Sequence, residues 1–295
     1  AGSFSISRIY TDFEELAADP KVDAVVIGLP NYLHLPVTKM MLTGGKHVLC
    51  EKPMAMSAEE AGQMRDLALE SPGKLMIGHM WRFDHELMWL RKSIKTGSLG
   101  RIIKAKAWAV SIREGPDPAG WFAQKRFAGG GALADMGIHG VDILRYLLGD
   151  PRPLRVSARA ATLHEEIETD DTAEMLIEFE GGVTGIVEAG WYHSYADGQE
   201  GHCRVYGTRG FAQALPCRME QYSEGVWETT VPEMPTRSQP CDFPMYERQI
   251  DHFIDCIRDD KQPVPGSREG LMAMQVIEAA YESARTGKTQ EIVSR

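Results

Sequence analysis

The sequence predicts an α/β fold in two parts. A parallel sheet with covering helices comes first, and an α+β region around a large, open, mixed or antiparallel sheet follows. Three observations carry this. Strand-like and helix-like runs alternate up to about Met80. From Leu154 to about Leu215 the runs are strand-like and separated by turn signals instead. Between them lies one long helix, Ala128 to Asp150, whose apolar body carries an aspartate and a histidine.

The elements follow in order. Thr11 with Glu14 forms a capping box that opens a short helix. Asp23 to Gly28 (DAVVIG) is a compact apolar run of the kind a buried parallel strand shows. A helix runs from about Leu35 to Gly44 and Gly45, and His47 to Cys50 is the next strand. Ser57 with Glu60 is a second capping box, opening a helix to about Glu70, and Lys74 to Met80 is a third strand. This β-α-β-α-β order implies right-handed crossovers and a parallel sheet.

Beyond that point the pattern changes, dividing the chain into residues 1–79 and 80–295. A helix near Phe83 to Thr96 ends at Gly97, a strand covers Arg101 to about Ile112, and a Pro- and Gly-bearing loop covers Arg113 to Gly120. After the long helix, turn signals at Gly181-Gly182 and Thr208-Arg209-Gly210 separate the strands of the second sheet. Glu228 to Pro244, with four prolines, reads as a loop, and helices near Tyr246–Arg258 and Ser267–Thr286 close the chain.

The 295 residues suffice for two domains at the usual size of about 150 residues each. The formal net charge of −10 disfavours a nucleic-acid surface. No apolar run approaches the roughly 20 residues of a membrane span. Five cysteines, an odd number without a C-x-x-C pair, disfavour a disulfide framework and a zinc knuckle, so a reduced, cytoplasmic setting is expected. The nine histidines show no H-E-x-x-H spacing, and no metal is expected.

The long helix is the most informative stretch. Gly129 to Gly131 lead into it and Gly149 stands where a C-cap glycine belongs. Leu133, Met136, Ile143 and Leu147 recur at a helical period. The other stripe carries Asp135, His139, Asp142 and Tyr146, with Asp135 and His139 at i,i+4 on one face. Two readings stand side by side: a helix-surface contact worth a few tenths of a kcal/mol, or polar groups kept on an apolar helix for chemistry. The glycine run likewise either frees a helix N-terminus for an anion or lets the backbone pack closely. Lys52 follows the strand ending at Cys50, while Pro30, Asn31 and His34 follow the strand DAVVIG. Ligands of parallel α/β sheets bind beyond such carboxyl ends.

LPNYLH at 29–34, EKP at 51–53 and GGGALADMGIHGVD at 129–142 together resemble the Gfo/Idh/MocA family of NAD(P)-dependent oxidoreductases. That family includes glucose–fructose oxidoreductase and inositol dehydrogenase. YERQIDHFIDCI and GLMAMQVIEAAYESARTGK near the C-terminus extend the resemblance over essentially the whole chain. It implies an incomplete Rossmann-type domain over residues 1–79 and a substrate-binding and oligomerisation domain over 80–295. The implied cofactor is NAD or NADP, held by Pro30, Asn31, His34, Glu51, Lys52 and Pro53. The implied catalytic set is Lys52 at the nicotinamide ribose and substrate hydroxyl, Asp135 orienting the substrate, and His139 exchanging the hydroxyl proton. Trp81 and Arg82, where the chain crosses into its second domain, would line the substrate pocket.

The implied substrate is a sugar, an inositol or a related polyol. NAD-recycling glycoside cleavage and non-catalytic sugar binding are the alternatives. Trp121, Tyr192, His193 and His202 fit either a sugar pocket or ordinary packing. A homodimer or homotetramer is implied through an open sheet face provided by runs such as Thr172–Phe179 and Val183–Trp191. Family members begin with a strand, a G-x-G-x-x-G turn, a helix and a second strand, whereas Arg8-Ile9-Tyr10 here corresponds to the third strand. The favoured expectation is a piece of a longer protein. A natural truncation that holds the dinucleotide weakly and a recruited binding protein are the other two explanations.

Overall fold

The computed structural model describes residues 8–112, 115–163, 167–193, 201–236 and 243–293. The chain's first residues, Cys241, and parts of the predicted Arg113–Gly120 and Glu228–Pro244 loops lie outside the described residues.

The first part is the predicted alternation. Helix α1 (Phe13–Ala18) leads to strand β1 (Ala24–Ile27), a 3₁₀ turn at Asn31–Leu33 and helix α2 (His34–Thr43). Strand β2 (His47–Glu51), helix α3 (Ala58–Glu70) and strand β3 (Leu75–Gly78) follow. The strands pair in parallel in the order β1-β2-β3, with Ile27 beside Cys50 and Cys50 beside Ile77. Central β2 buries Val48, Leu49 and Cys50 completely, which explains its unbroken apolar run. Because all three strands run the same way, the residues after β1, β2 and β3 emerge on one rim.

One predicted cap shifts by a residue and the other stands at its predicted position with an altered return contact. The cap of α1 is Asp12 rather than Thr11: Asp12 has the extended backbone a cap needs, and its carboxylate accepts from the Glu14 amide at 2.6 Å. At α3, Ser57 Oγ does accept from the Glu60 amide, but the Glu60 carboxylate reaches back to Met56 N, one residue earlier than a capping box requires.

Helix α4 (His85–Lys95), capped by Asp84, leads into strand β4 (Ile102–Ile112). Helix α5 (Lys125–Ala128) and the glycine run come next. The predicted single helix from Ala128 is then resolved into a π-helical turn, Leu133–Gly137, that runs on into α6 (Ile138–Leu148) and stops at left-handed Gly149.

The remaining strands are β5 (Pro153–Ala161), β6 (Thr172–Phe179), β7 (Thr184–His193), β8 (Gly201–Gly207), β9 (Gly210–Gln213), β10 (Arg218–Ser223) and β11 (Val226–Thr230). Helices α7 (Phe243–Arg258) and α8 (Ser267–Thr286) and strand β12 (Gln290–Glu291) complete the described elements. The second sheet runs β11-β10-β9-β8-β4-β7-β6-β5-β12 and is mixed, because β4 and β7 pair in parallel while the other neighbours are antiparallel.

Strand β11 takes Glu228 to Thr230 out of the predicted loop. Its Trp227 lies opposite Tyr222 of β10, with the rings 5.4 Å apart, and that pair extends the hairpin. Helix α7 starts three residues earlier than predicted, since Pro244 falls in its first turn, where a missing amide does no harm. On β6, Ala173, Met175, Ile177 and Phe179 are buried and Glu174 and Leu176 are exposed, so one face of the sheet is covered and the other open. Helix α8 packs on α3 and β3 on one side and on β5 on the other, joining the two sheets.

Candidate active site

The rim of the parallel sheet meets the π-helical turn. Lys52, the first residue past β2, extends its Nζ to Asp135 Oδ1 at 2.5 Å and to the Asp135 carbonyl at 3.1 Å. The other carboxylate oxygen of Asp135 accepts from the indole Nε1 of Trp191 at 2.9 Å. Asp135 is therefore held from two directions, by a cation from the first sheet and a donor from the second. The sequence pairs it with His139 instead. The π turn rearranges the start of the helix, a feature frequent at functional sites, and Asp135 turns to Lys52 and Trp191.

His139 lies on α6 and is buried, with its Nδ1 lacking a hydrogen-bond partner. Burial pushes its pKa well below the ordinary imidazole value, and the nearby Lys52 and His79 add to this. It is thus neutral at physiological pH. His79, the first residue past β3, is a buried imidazole that the sequence reading did not single out. Burial takes it down to about 4 against the pull of Asp142, whose Oδ2 stands 3.9 Å from its Nδ1. The three strand ends thus deliver Asn31, Lys52 and His79 to one edge.

Several predicted residues serve differently from the expectation. Asn31 donates its amide to the Ala128 carbonyl at 2.7 Å, tying the end of β1 to the glycine run. His34 faces Pro53 O at 2.8 Å and Leu29 O at 2.9 Å with its two ring nitrogens, and is buried. Both side chains tie the rim together. Glu51 is partly buried beneath Gly78, where a Cβ would meet its carboxyl group at 2.9 Å, and burial raises its pKa. Pro53 is buried and Pro30 half-buried, beside Lys52 and Asn31 respectively.

The Arg82 guanidinium grips Asp142 with Nε and Nη2 at 2.7–3.0 Å and Asp150 with Nη2 at 2.7 Å, so it fastens α6. Trp81 is buried beside Leu87, Ile143 and His202. Among the aromatic candidates, Trp121 belongs near the site, since Trp121, Phe122 and Trp191 form a row with centroids 4.4 and 6.0 Å apart. The Tyr192 hydroxyl donates to Pro116 O, His193 contacts Thr172 Oγ1, and His202 accepts from the Leu215 amide. Each of the three therefore has a protein partner of its own. Trp191 was missed because, in the sequence, it is one apolar residue of a strand run.

A cavity of about 610 Å³ lies behind the π turn, lined by Pro53, Met56, Gly129, Ala134, Asp170 and Tyr281 among others. The Gly129–Ala134 segment therefore borders both this cavity and the Lys52–Asp135 pair.

A parallel three-stranded unit, a lysine past its central strand and a neutral buried histidine on the facing helix define a nicotinamide-dependent oxidoreductase architecture. Comparison with known proteins agrees. Residues 1–79 match the oxidoreductase family's NAD-binding Rossmann fold, and residues 91–292 match its C-terminal alpha/beta domain. The chain belongs to the Gfo/Idh/MocA oxidoreductase family, whose cofactor is NAD(P). It is 32% identical to 1,5-anhydro-D-fructose reductase of Ensifer adhaerens, over 97% of this chain and 85% of the relative. It is 28% identical to inositol 2-dehydrogenase of Rhizobium meliloti, over 96% and 84%. Among solved structures it is similar to the aldose-aldose oxidoreductase of Caulobacter crescentus complexed with glycerol, with a TM-score of 0.81 at 29% identity over 95% and 82% of the two chains. A levoglucosan dehydrogenase complex shares the fold, with a TM-score of 0.89 at 23% identity over 99% and 86%.

Proposed function

We propose that this oxidoreductase transfers a hydride between NAD(P) and a secondary hydroxyl of a sugar, inositol or related polyol. The observation that carries the reading is Lys52 and Asp135 in contact at the rim, with neutral His139 on the same helix. The donor set fits a nicotinamide cofactor: a lysine ammonium and the partly buried Pro30 lie at the carboxyl edge, where dinucleotides bind parallel sheets. Lys52, Pro30 and Pro53 would hold it there, and when bound it supplies or accepts the hydride. The protein's residues do the rest. Neutral His139 takes the hydroxyl proton during oxidation and returns it during reduction. The Lys52 ammonium stabilises alkoxide character on the same oxygen. Asp135, fixed by Trp191, holds Lys52 in place and accepts from a neighbouring hydroxyl, while the Trp121–Phe122–Trp191 row offers an apolar wall to a sugar ring.

Relatives named for anhydrofructose, xylose and inositol support the substrate class. The test is nicotinamide absorbance against a panel of aldoses, inositols and keto-sugars with both cofactors. Turnover with at least one is expected, and none with any would overturn the reading. Substrate consumption without net absorbance change would replace it with glycoside cleavage on a recycled cofactor.

The open face of the second sheet, with Leu176 51% and Ile103 42% exposed, supports a homo-oligomer through that face. A monomeric mass by light scattering would refute it. The four described cysteines are free and buried, which favours a reducing, cytoplasmic setting.

A further inference from the structure

The three glycines before the π turn have separate causes, and two of them lead to residues with no assigned role. Gly129 is left-handed, at φ +81°. A Cβ on Gly130 would stand 2.3 Å from the Tyr281 hydroxyl, and one on Gly131 would stand 1.9 Å from the Asp170 carbonyl oxygen. The run exists so that Asp170 and Tyr281 can close on the backbone.

Asp170 meets three successive amides, Gly131 to Leu133, where the chain enters the turn. Its Oδ1 accepts from Gly131 N at 3.0 Å, its Oδ2 from Leu133 N at 2.7 Å, and its carbonyl from Ala132 N at 2.8 Å. The Tyr281 hydroxyl donates to Asp170 Oδ1 at 2.7 Å and itself accepts from Gly131 N at 2.9 Å. Asp135 follows two residues after Leu133, and its own amide closes on Gly131 O at 2.9 Å. A second arm starts one residue along: the Asp171 carbonyl accepts from Trp191 N at 2.8 Å, and the Trp191 indole holds Asp135 Oδ2. Both arms from the Asp170-Asp171 pair converge on one carboxylate.

We propose that Asp170, braced by Tyr281, is a positioning residue that sets the Asp135 carboxylate against Lys52. This rests on the reading that Asp135 serves the reaction. The charge of Asp170 is essential to the arrangement, because both of its carboxylate oxygens must accept. An Asn in its place turns an N–H toward either Leu133 N or the Gly131–Tyr281 pair and breaks one side of the clamp. A displacement of about 1 Å at a reacting group costs up to about a hundredfold in rate.

The test is a double-mutant cycle with Asp170→Asn and Asp135→Asn. Asp170→Asn alone should lower kcat about ten- to a hundredfold with NAD(P)H affinity, followed by fluorescence, unchanged. In the Asp135→Asn background it should lower kcat less than about twofold, because its route is already cut. Additive losses would overturn the proposal and leave Asp170 a purely structural cap. Tyr281→Phe, a milder change, should show the same non-additivity at several-fold smaller size and guards against a variant that does not fold. Amide exchange gives a readout independent of turnover. Gly131 or Leu133 should lose protection in Asp170→Asn and Gly131 in Tyr281→Phe, and unchanged protection at both amides would overturn the clamp even if no polyol proved to be a substrate.

Discussion

Asp135 and Asp142 stand seven positions apart on one continuous helix, and each meets a cation from the parallel-sheet side of the molecule. Their surroundings differ. Asp142 is 1% exposed and gripped by Arg82, itself 2% exposed, whose guanidinium also holds Asp150. Burial works against the Asp142 carboxylate, but Arg82 and then His79 outweigh it and hold it below the usual range. Asp135 and Lys52 are 13% and 14% exposed, at the rim, and one donor from each sheet reaches the carboxylate. The same residue type on the same helix is a saturated fastening at one end and a partly exposed rim group at the other. Solvent access and the number of fixed partners make the difference, since a fully buried charge must be saturated by partners to persist.

The largest effect expected is at His139. His139→Ala should lower kcat by about 10²- to 10⁴-fold, the usual contribution of a general acid–base group, while cofactor affinity by fluorescence titration stays the same. Equal losses in both would erase the functional end of the comparison. At the fastening end, Arg82→Met takes from buried Asp142 the cation that hydrogen-bonds it, while Asp150 keeps Arg91 and Arg145 at 3.7 and 3.8 Å, and should cost about 3–5 kcal/mol in urea unfolding. Turnover per folded molecule should change little, and a variant that folds normally but fails to turn over would return Arg82 to the substrate.

His79 and His139, two of the four histidines buried among the described residues, give a pH test. His79 titrates at about 4 in the fold and near 6.5 unfolded, so the unfolded chain binds more protons between those values. Stability is therefore fully present above about pH 6.5 and falls as pH drops towards 4, by about 3 kcal/mol for His79 alone. His139 adds in the same direction, and Asp142, held low, adds at still lower pH. Urea unfolding at neutral and mildly acid pH checks this, and a flat profile would mean that the imidazoles are not buried neutral. The smallest effect expected is Trp191→Phe. Losing one donor to a charged carboxylate should lower kcat about tenfold, the equivalent of about 1.4 kcal/mol, without changing the unfolding midpoint by more than a few degrees.

Much of the framework is legible from local pattern. Helix α8 falls at the predicted Ser267–Thr286, and β1, β2 and β3 fall within a residue or two of their apolar runs; burial follows the run in β2 and β3, whereas β1, expected to be buried, lies at the edge of its sheet with Val26 61% exposed and Ile27 alone buried. The cap of α1 was misplaced because Thr11 and Asp12 are both good caps and only the backbone angle chooses between them. Asn31 and His34 were correctly placed at the rim, but their side chains bond to carbonyls that sequence position does not reveal. Trp191 and Asp170 carry no local signal. Their partners Asp135 and Gly131 are 56 and 39 residues away.

From sequence alone come the order of the elements, the lysine past the central strand, and the aspartate and histidine on the helix behind three glycines. These follow from periodicity, turn chemistry and strand direction, which act between near neighbours. The tertiary structure alone decided that Asp135 pairs with Lys52 and Trp191 rather than with His139, that Arg82 is a fastening, that His79 and His139 are neutral, and that the glycines make room for Asp170 and Tyr281. Each of those depends on which distant groups share a dry site, and desolvation and hydrogen-bond saturation act only once the chain has brought them together.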